Sequence, residues 1–111
     1  MNKLTAAFLL AGAVQAATPA AFAADIVGNP ANAPAAKIEM CIGCHAIPGY
    51  KATFPEVFPV PKIGGQNAKY IEAALKAYQK GDRKHPSMKG IAVSLSDQEI
   101  ADIAAYYAKQ K

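Results

Sequence analysis

The stretch "CIGCH", residues 41 to 45, constrains this chain more than any other, because it holds both cysteines of the sequence and one of its two histidines. Three chemistries use such a cluster. Structural zinc takes four protein ligands, and beyond Cys41, Cys44 and His45 the remaining candidate is His85; the adjacency of Cys44 and His45 also departs from the usual paired spacing. A thioredoxin-like exchanger sets its thiols at the start of a helix that follows a strand, where the helix N-terminus lowers the thiol pKa. Here "AAKIEMCIGCHA" runs as a helix into the motif, with no strand before it, so the pair sits at the helix's far end. A disulfide across so short a loop constrains little of the unfolded chain. The third chemistry is covalent haem attachment: thiols three apart on one turn reach two vinyl groups on a porphyrin edge, and the next residue, His45, is carried under the ring where its imidazole can bind iron. Zinc and disulfide exchange stay as rival readings of these five residues.

The N-terminus bears on the compartment. "MNKLTAAFLLAGAVQAATPAAFAAD" has a positive start at Lys3, an apolar centre from Leu4 to Val14 and a small-residue end, the order of a secretory signal peptide cut after Ala23. Gln15, Thr18 and Pro19 interrupt the segment's second half, which argues against a retained membrane anchor. The expected division is a cleaved signal peptide over 1–23 and one domain over 24–111, with export to the periplasm and no stable membrane insertion after cleavage. A domain this small is often helped by a metal, disulfide or cofactor. The formal charge of +4, of which Lys3 supplies one, is a mild excess carried by scattered lysines, so nucleic acid is not an expected partner.

Along the domain, "ADIVGNPANAP" reads as an extended lead-in, and the first helix begins near Asn32 or Ala33 with Pro34 in its first turn. Residues 46–65, "AIPGYKATFPEVFPVPKIGG", show no period of 2 or 3.6 and form a loop, yet Tyr50, Phe54, Val57, Phe58, Val60 and Ile63 are too apolar for an empty surface. They are expected to wrap around something, or more modestly to cover a helix pair. A second helix spans about Gln66 to Lys80 and stops at Gly81, with Tyr70, Ile71, Ala74, Leu75 and Tyr78 at helical spacing. "DRKHPSMKGIAVS" reads as a further loop. In the last helix, Ser96 to Glu99 form a capping box, Leu95 and Ile100 a hydrophobic staple, and Ile100, Ile103, Ala104 and Tyr107 the buried stripe. No strand pattern emerges, and the expected class is all-α, with three main helices.

If the motif holds haem, the iron needs a sixth ligand or a reason to lack one. Met88 in "HPSMKG" is the first candidate and His85 its rival; Met40 adjoins Cys41 and is poorly placed to reach the opposite face. Methionines more often fill cores, but the polar lead-in "KHPS" sits badly with that role.

With "CIGCH", "PKIGGQ" and "HPSMKGIAVSLSDQEIADIAAYYA" in this order, the chain resembles the small class I c-type cytochromes of bacteria, across nearly all of residues 24–111. The resemblance implies the class I cytochrome c fold, its helices and loops wrapped around one covalently attached haem c. It implies that Cys41 and Cys44 form the thioethers, that His45 and Met88 are the axial iron ligands, and that the Pro61 carbonyl accepts a hydrogen bond from His45. Tyr107 would pack the last helix on the first. Where the family commonly has a glycine in the first helix at that crossing, this chain has Ala33 and Pro34. An iron with both faces occupied has no open position for a substrate, so the expected role is a soluble periplasmic electron carrier, not an enzyme, passing single electrons between respiratory redox proteins. Two alternatives are a dedicated haem subunit of a periplasmic dehydrogenase or oxidase complex and a haem-based gas sensor. Lys51, Lys62, Lys84 and Lys89 flank the ligand segments as a basic rim for an acidic partner.

Overall fold

The computed structural model describes residues 25–111; the expected signal segment lies outside the described residues. A 3-10 turn at Pro30–Asn32 is followed by helices α1 (Ala35–His45), α2 (Ala68–Lys80), α3 (Pro86–Val93) and α4 (Asp97–Ala108). Two short strands, β1 (Lys51–Ala52) and β2 (Phe58–Pro59), pair antiparallel between α1 and α2. Among the described residues the chain is all-α as expected, with four helices where three were read. Residues 82–94 are not wholly a loop: His85 is an N-cap, its ring accepting from Met88 N at 3.3 Å, and Pro86 occupies the first helical position. Gly90 within α3 and a length of eight residues hide the helical period. The two-residue ladder is likewise too short to leave an alternating pattern.

The first helix starts at Ala35, with Pro34 as the N-cap residue and its carbonyl accepting from Lys37 N and Ile38 N at 2.9 and 3.0 Å. In α2, Asn67 caps Tyr70 N, and Gly81 ends the helix in the left-handed conformation at φ +89°, donating to Ala77 O and Tyr78 O. Both halves of the capping box form in α4, Ser96 Oγ accepting from Glu99 N and Glu99 accepting from Ser96 N. One core joins the helices: Ile38 of α1, Ile71 and Leu75 of α2, Ala92 of α3, Leu95, and Ile100, Ile103, Ala104 and Tyr107 of α4. Tyr70, read as part of the α2 stripe, is exposed and accepts from the Arg83 guanidinium.

The lead-in is more than a spacer. A Cβ on Gly28 would lie 2.1 Å from Ala101 O, so only glycine lets this backbone rest on α4. One residue on, Asn29 N donates to buried Asp102 at 2.7 Å. The close glycine approach to the last helix thus comes from upstream of α1, where Ala33 and Pro34 had shown none.

Candidate functional site

The site grows from the end of α1. Cys41 and Cys44, both half-buried free thiols, lie on its last two turns, and His45 is its final residue. Cys41 Sγ donates back to Lys37 O at 3.3 Å. Burial pushes the Cys41 thiol above its ordinary pKa, only partly offset by Tyr107. A disulfide exchanger or a zinc thiolate needs the reverse shift, and the thiols stand at a helix C-terminus, whose partial negative charge opposes a thiolate. Among the described residues no group of three or more His, Cys, Asp or Glu side chains is gathered as a metal ion's ligands.

The loop after α1 returns by definite steps. Val60 N donates to Tyr50 O at 2.8 Å beside the β1–β2 pairing, and Thr53, at φ +76°, turns the tip with its hydroxyl on Glu56 O. Further on, Gly65 N donates to Tyr107 O at 2.8 Å and pins the loop's end to α4. Between these anchors Pro61 O comes within 2.6 Å of His45 Nδ1. A carbonyl only accepts, so Nδ1 carries the proton, which in the single-proton tautomer leaves the lone pair on Nε2. That is the tautomer a metal-binding imidazole needs.

Met88 sits in the first turn of α3, half-buried against the same core that Cys41 borders. Its rival His85 spends Nδ1 on the helix cap and tilts against the Phe58 ring, 4.8 Å between centroids. The loop apolar residues do not cover a helix pair: of those singled out, Ile63 alone packs against the core. Phe54 is 92% exposed and Val57 58%, with Tyr50 also on the surface. Side chains of this size left on one loop suit a large apolar group lying against them. Beside them a groove of about 560 Å³ runs between the hairpin tip and the start of α3, with Arg83, Lys84 and Lys89 along it.

Two side chains around the site make contacts that have no sequence signal. Gln79 of α2 donates to Ala92 O and Leu95 O, both at 2.8 Å, and Lys37 of α1 donates to Ser94 O at 3.1 Å. In the sequence Gln79 is one more polar residue near a helix end.

A family model described as cytochrome c matches residues 31–111. The chain is 42% identical over 79 residues to cytochrome c-554(548) of Halomonas halodenitrificans, covering 68% of this chain and 89% of that protein. It is 35% identical over 111 residues to cytochrome c4 of Pseudomonas aeruginosa, covering all of this chain and half of the relative. A third relative, of Stutzerimonas stutzeri, is named a thiosulfate dehydrogenase electron acceptor; it is 37% identical over 76 residues, covering 64% of this chain and 32% of that protein. The donor set accords with what this likeness requires: two uncommitted thiols a turn apart, an imidazole with a free Nε2, and an uncovered apolar loop. From the 3-10 turn to the final residue, therefore, the chain belongs to the cytochrome c family, an electron-transfer haem protein with covalently attached haem c.

Proposed function

We propose that this chain is a periplasmic class I cytochrome, a soluble carrier passing single electrons between redox proteins, with Cys41 and Cys44 as the thioether residues and His45 and Met88 as axial ligands. The observation that carries the reading is the 2.6 Å contact between His45 Nδ1 and Pro61 O, which leaves Nε2 for iron. Haem c supplies an iron that alternates between ferrous and ferric states. The protein's residues set its environment. Pro61 holds the His45 ring by its far nitrogen and raises its basicity as a ligand. The Met88 thioether raises the potential relative to a second imidazole. Phe54, Val57 and Tyr50, exposed here, would exclude water from a haem lying against them and so disfavour the extra charge of the ferric state. Because His45 and Met88 both come from helices that pack on one core, they would hold the iron without rearrangement when its oxidation state changes. Among the described residues no helix is long and apolar enough to cross a membrane.

For partners, Lys51, Lys62, Lys84 and Lys89 are all exposed, and Lys84, Lys89 and Arg83 border the groove. This excess of positive charge suits a brief encounter with an acidic redox protein. The relative named as an electron acceptor accords with a dehydrogenase as one such partner. The test is spectroscopic: ferric protein should show a methionine-to-iron charge-transfer band toward the red, absent in Met88→Ala, and reduced protein should not bind carbon monoxide at neutral pH. Persistence of the band in Met88→Ala would dismiss Met88 as ligand, and rapid carbon monoxide binding by the unaltered protein would dismiss the carrier reading.

A further inference from the structure

The turn between α3 and α4 is held by side chains from the two other helices. Gln79 Nε2, on half-buried α2 surface, reaches Ala92 O and Leu95 O at 2.8 Å each. An amide nitrogen has two protons, and both partners are carbonyls, so only this orientation of the Gln79 amide satisfies the pair. Ala92 is fully buried and Leu95 nearly so. The Ala92 carbonyl, in the last turn of α3, also accepts from Leu95 N at 3.1 Å, so Gln79 adds a second donor to it from another helix. From α1, the Lys37 ammonium adds an exposed contact to Ser94 O.

Met88 is four residues before Ala92, one turn along the same eight-residue helix. At the other end of that turn, His85 caps Met88 N. A helix of two turns moves as a unit, so the contact that fixes Ala92 also fixes where Met88 lies relative to the core and α1. We propose that Gln79 is a positioning residue for the Met88 sulfur: its two hydrogen bonds keep α3 seated on α2 and so set how readily methionine leaves the iron. This rests on Met88 being the sixth ligand.

The test uses the holoprotein carrying Gln79→Met, which keeps the length and apolar stem but removes both donors. In the ferrous state the rate of carbon monoxide binding should rise on the order of tenfold, a factor equivalent to about 1.4 kcal/mol in favour of the methionine-off state. In the ferric state the charge-transfer band should disappear on heating well below the temperature at which far-ultraviolet circular dichroism reports helix loss. Lys37→Ala, which removes the exposed contact to the same turn, should shift both readouts in the same direction by less, and it serves if Gln79→Met yields no holoprotein. The proposal is overturned if carbon monoxide binding is unchanged, or if band and helix signal melt together, since a merely structural residue lowers both alike. Met88→Ala separates the two claims: a band that persists there rejects the ligand, whereas a band lost there but unmoved by Gln79→Met rejects the clamp.

Discussion

Gly28 shows how much one missing side chain can decide. Its backbone rests on α4 so closely that a methyl group would overlap the Ala101 carbonyl and carbon, at 2.1 and 2.6 Å. Both atoms belong to the backbone of a buried helix and cannot swing aside, so the lead-in must lift, breaking the 2.7 Å hydrogen bond from Asn29 N to Asp102. Gly28→Ala should therefore destabilise the protein by about 1–3 kcal/mol, the usual range for overfilling a close-packed site, read as a lower denaturation midpoint at unchanged slope. An unchanged midpoint would mean that the lead-in contributes no stability. At the same scale, the Tyr107 hydroxyl lies buried beside the Cys41 thiol, and burial pushes its pKa up. The burial of Tyr107 was legible in its helical stripe, but the role of Gly28 was not. Gly28 stood in an Ala-, Asn- and Pro-rich segment that read as spacer, because a close approach between residues 73 apart leaves no local pattern.

Among the elements, α4 is the most self-sufficient, and its start carries a pH signature. Glu99 is held below the ordinary carboxylate pKa, first by the Ser96 backbone N–H and then by the Ser96 hydroxyl. A depressed carboxylate pKa adds stability that is present above the unfolded-state value and is lost as pH falls through the folded-state value. Glu99→Ala should accordingly be less stable than the parent at neutral pH, with the difference shrinking as pH drops below the carboxylate range. A gap in melting temperature that stays constant into strong acid would show that charge plays no part in the cap. The other half of the box, Ser96→Ala, should cost about 1 kcal/mol. This element was fully legible because capping is local, written within four consecutive residues. The third helix was not, since its cap is a histidine and its apolar face is set by contact with α2. Similarly, the loop from 46 to 65 was recognised by its excess of hydrophobes, but its hairpin and the placement of Pro61 under His45 depend on the distant anchor of Gly65 on Tyr107.

For the molecule as a whole, the core formed by the helices alone is small, and several large apolar side chains lie outside it. Phe54, Val57 and Ile47 are 92%, 58% and 48% exposed. Burying one such side chain stabilises by about 1.5–3 kcal/mol, and in a domain of this size 1 kcal/mol moves Tm by about 4–8 °C. The doubly substituted Cys41→Ala, Cys44→Ala chain, purified without haem, should therefore melt more than roughly 10 °C below the holoprotein. Equal melting temperatures would show that the loop hydrophobes gain nothing from the cofactor. By itself the sequence determined the attachment motif, the all-α class and the capped last helix, because each is carried by local pattern; His45 and Met88, far apart in the chain, were paired by the order of the motifs that resemble the family. Only the tertiary structure decided that Met88 rides on a helix, that the Pro61 carbonyl named by the resemblance does lie 2.6 Å from His45 Nδ1, that Gln79 ties α2 to the turn after α3, and that Gly28 rests the lead-in on α4. Those depend on backbone groups meeting across long separations, where residue type alone does not say which carbonyl a donor will find.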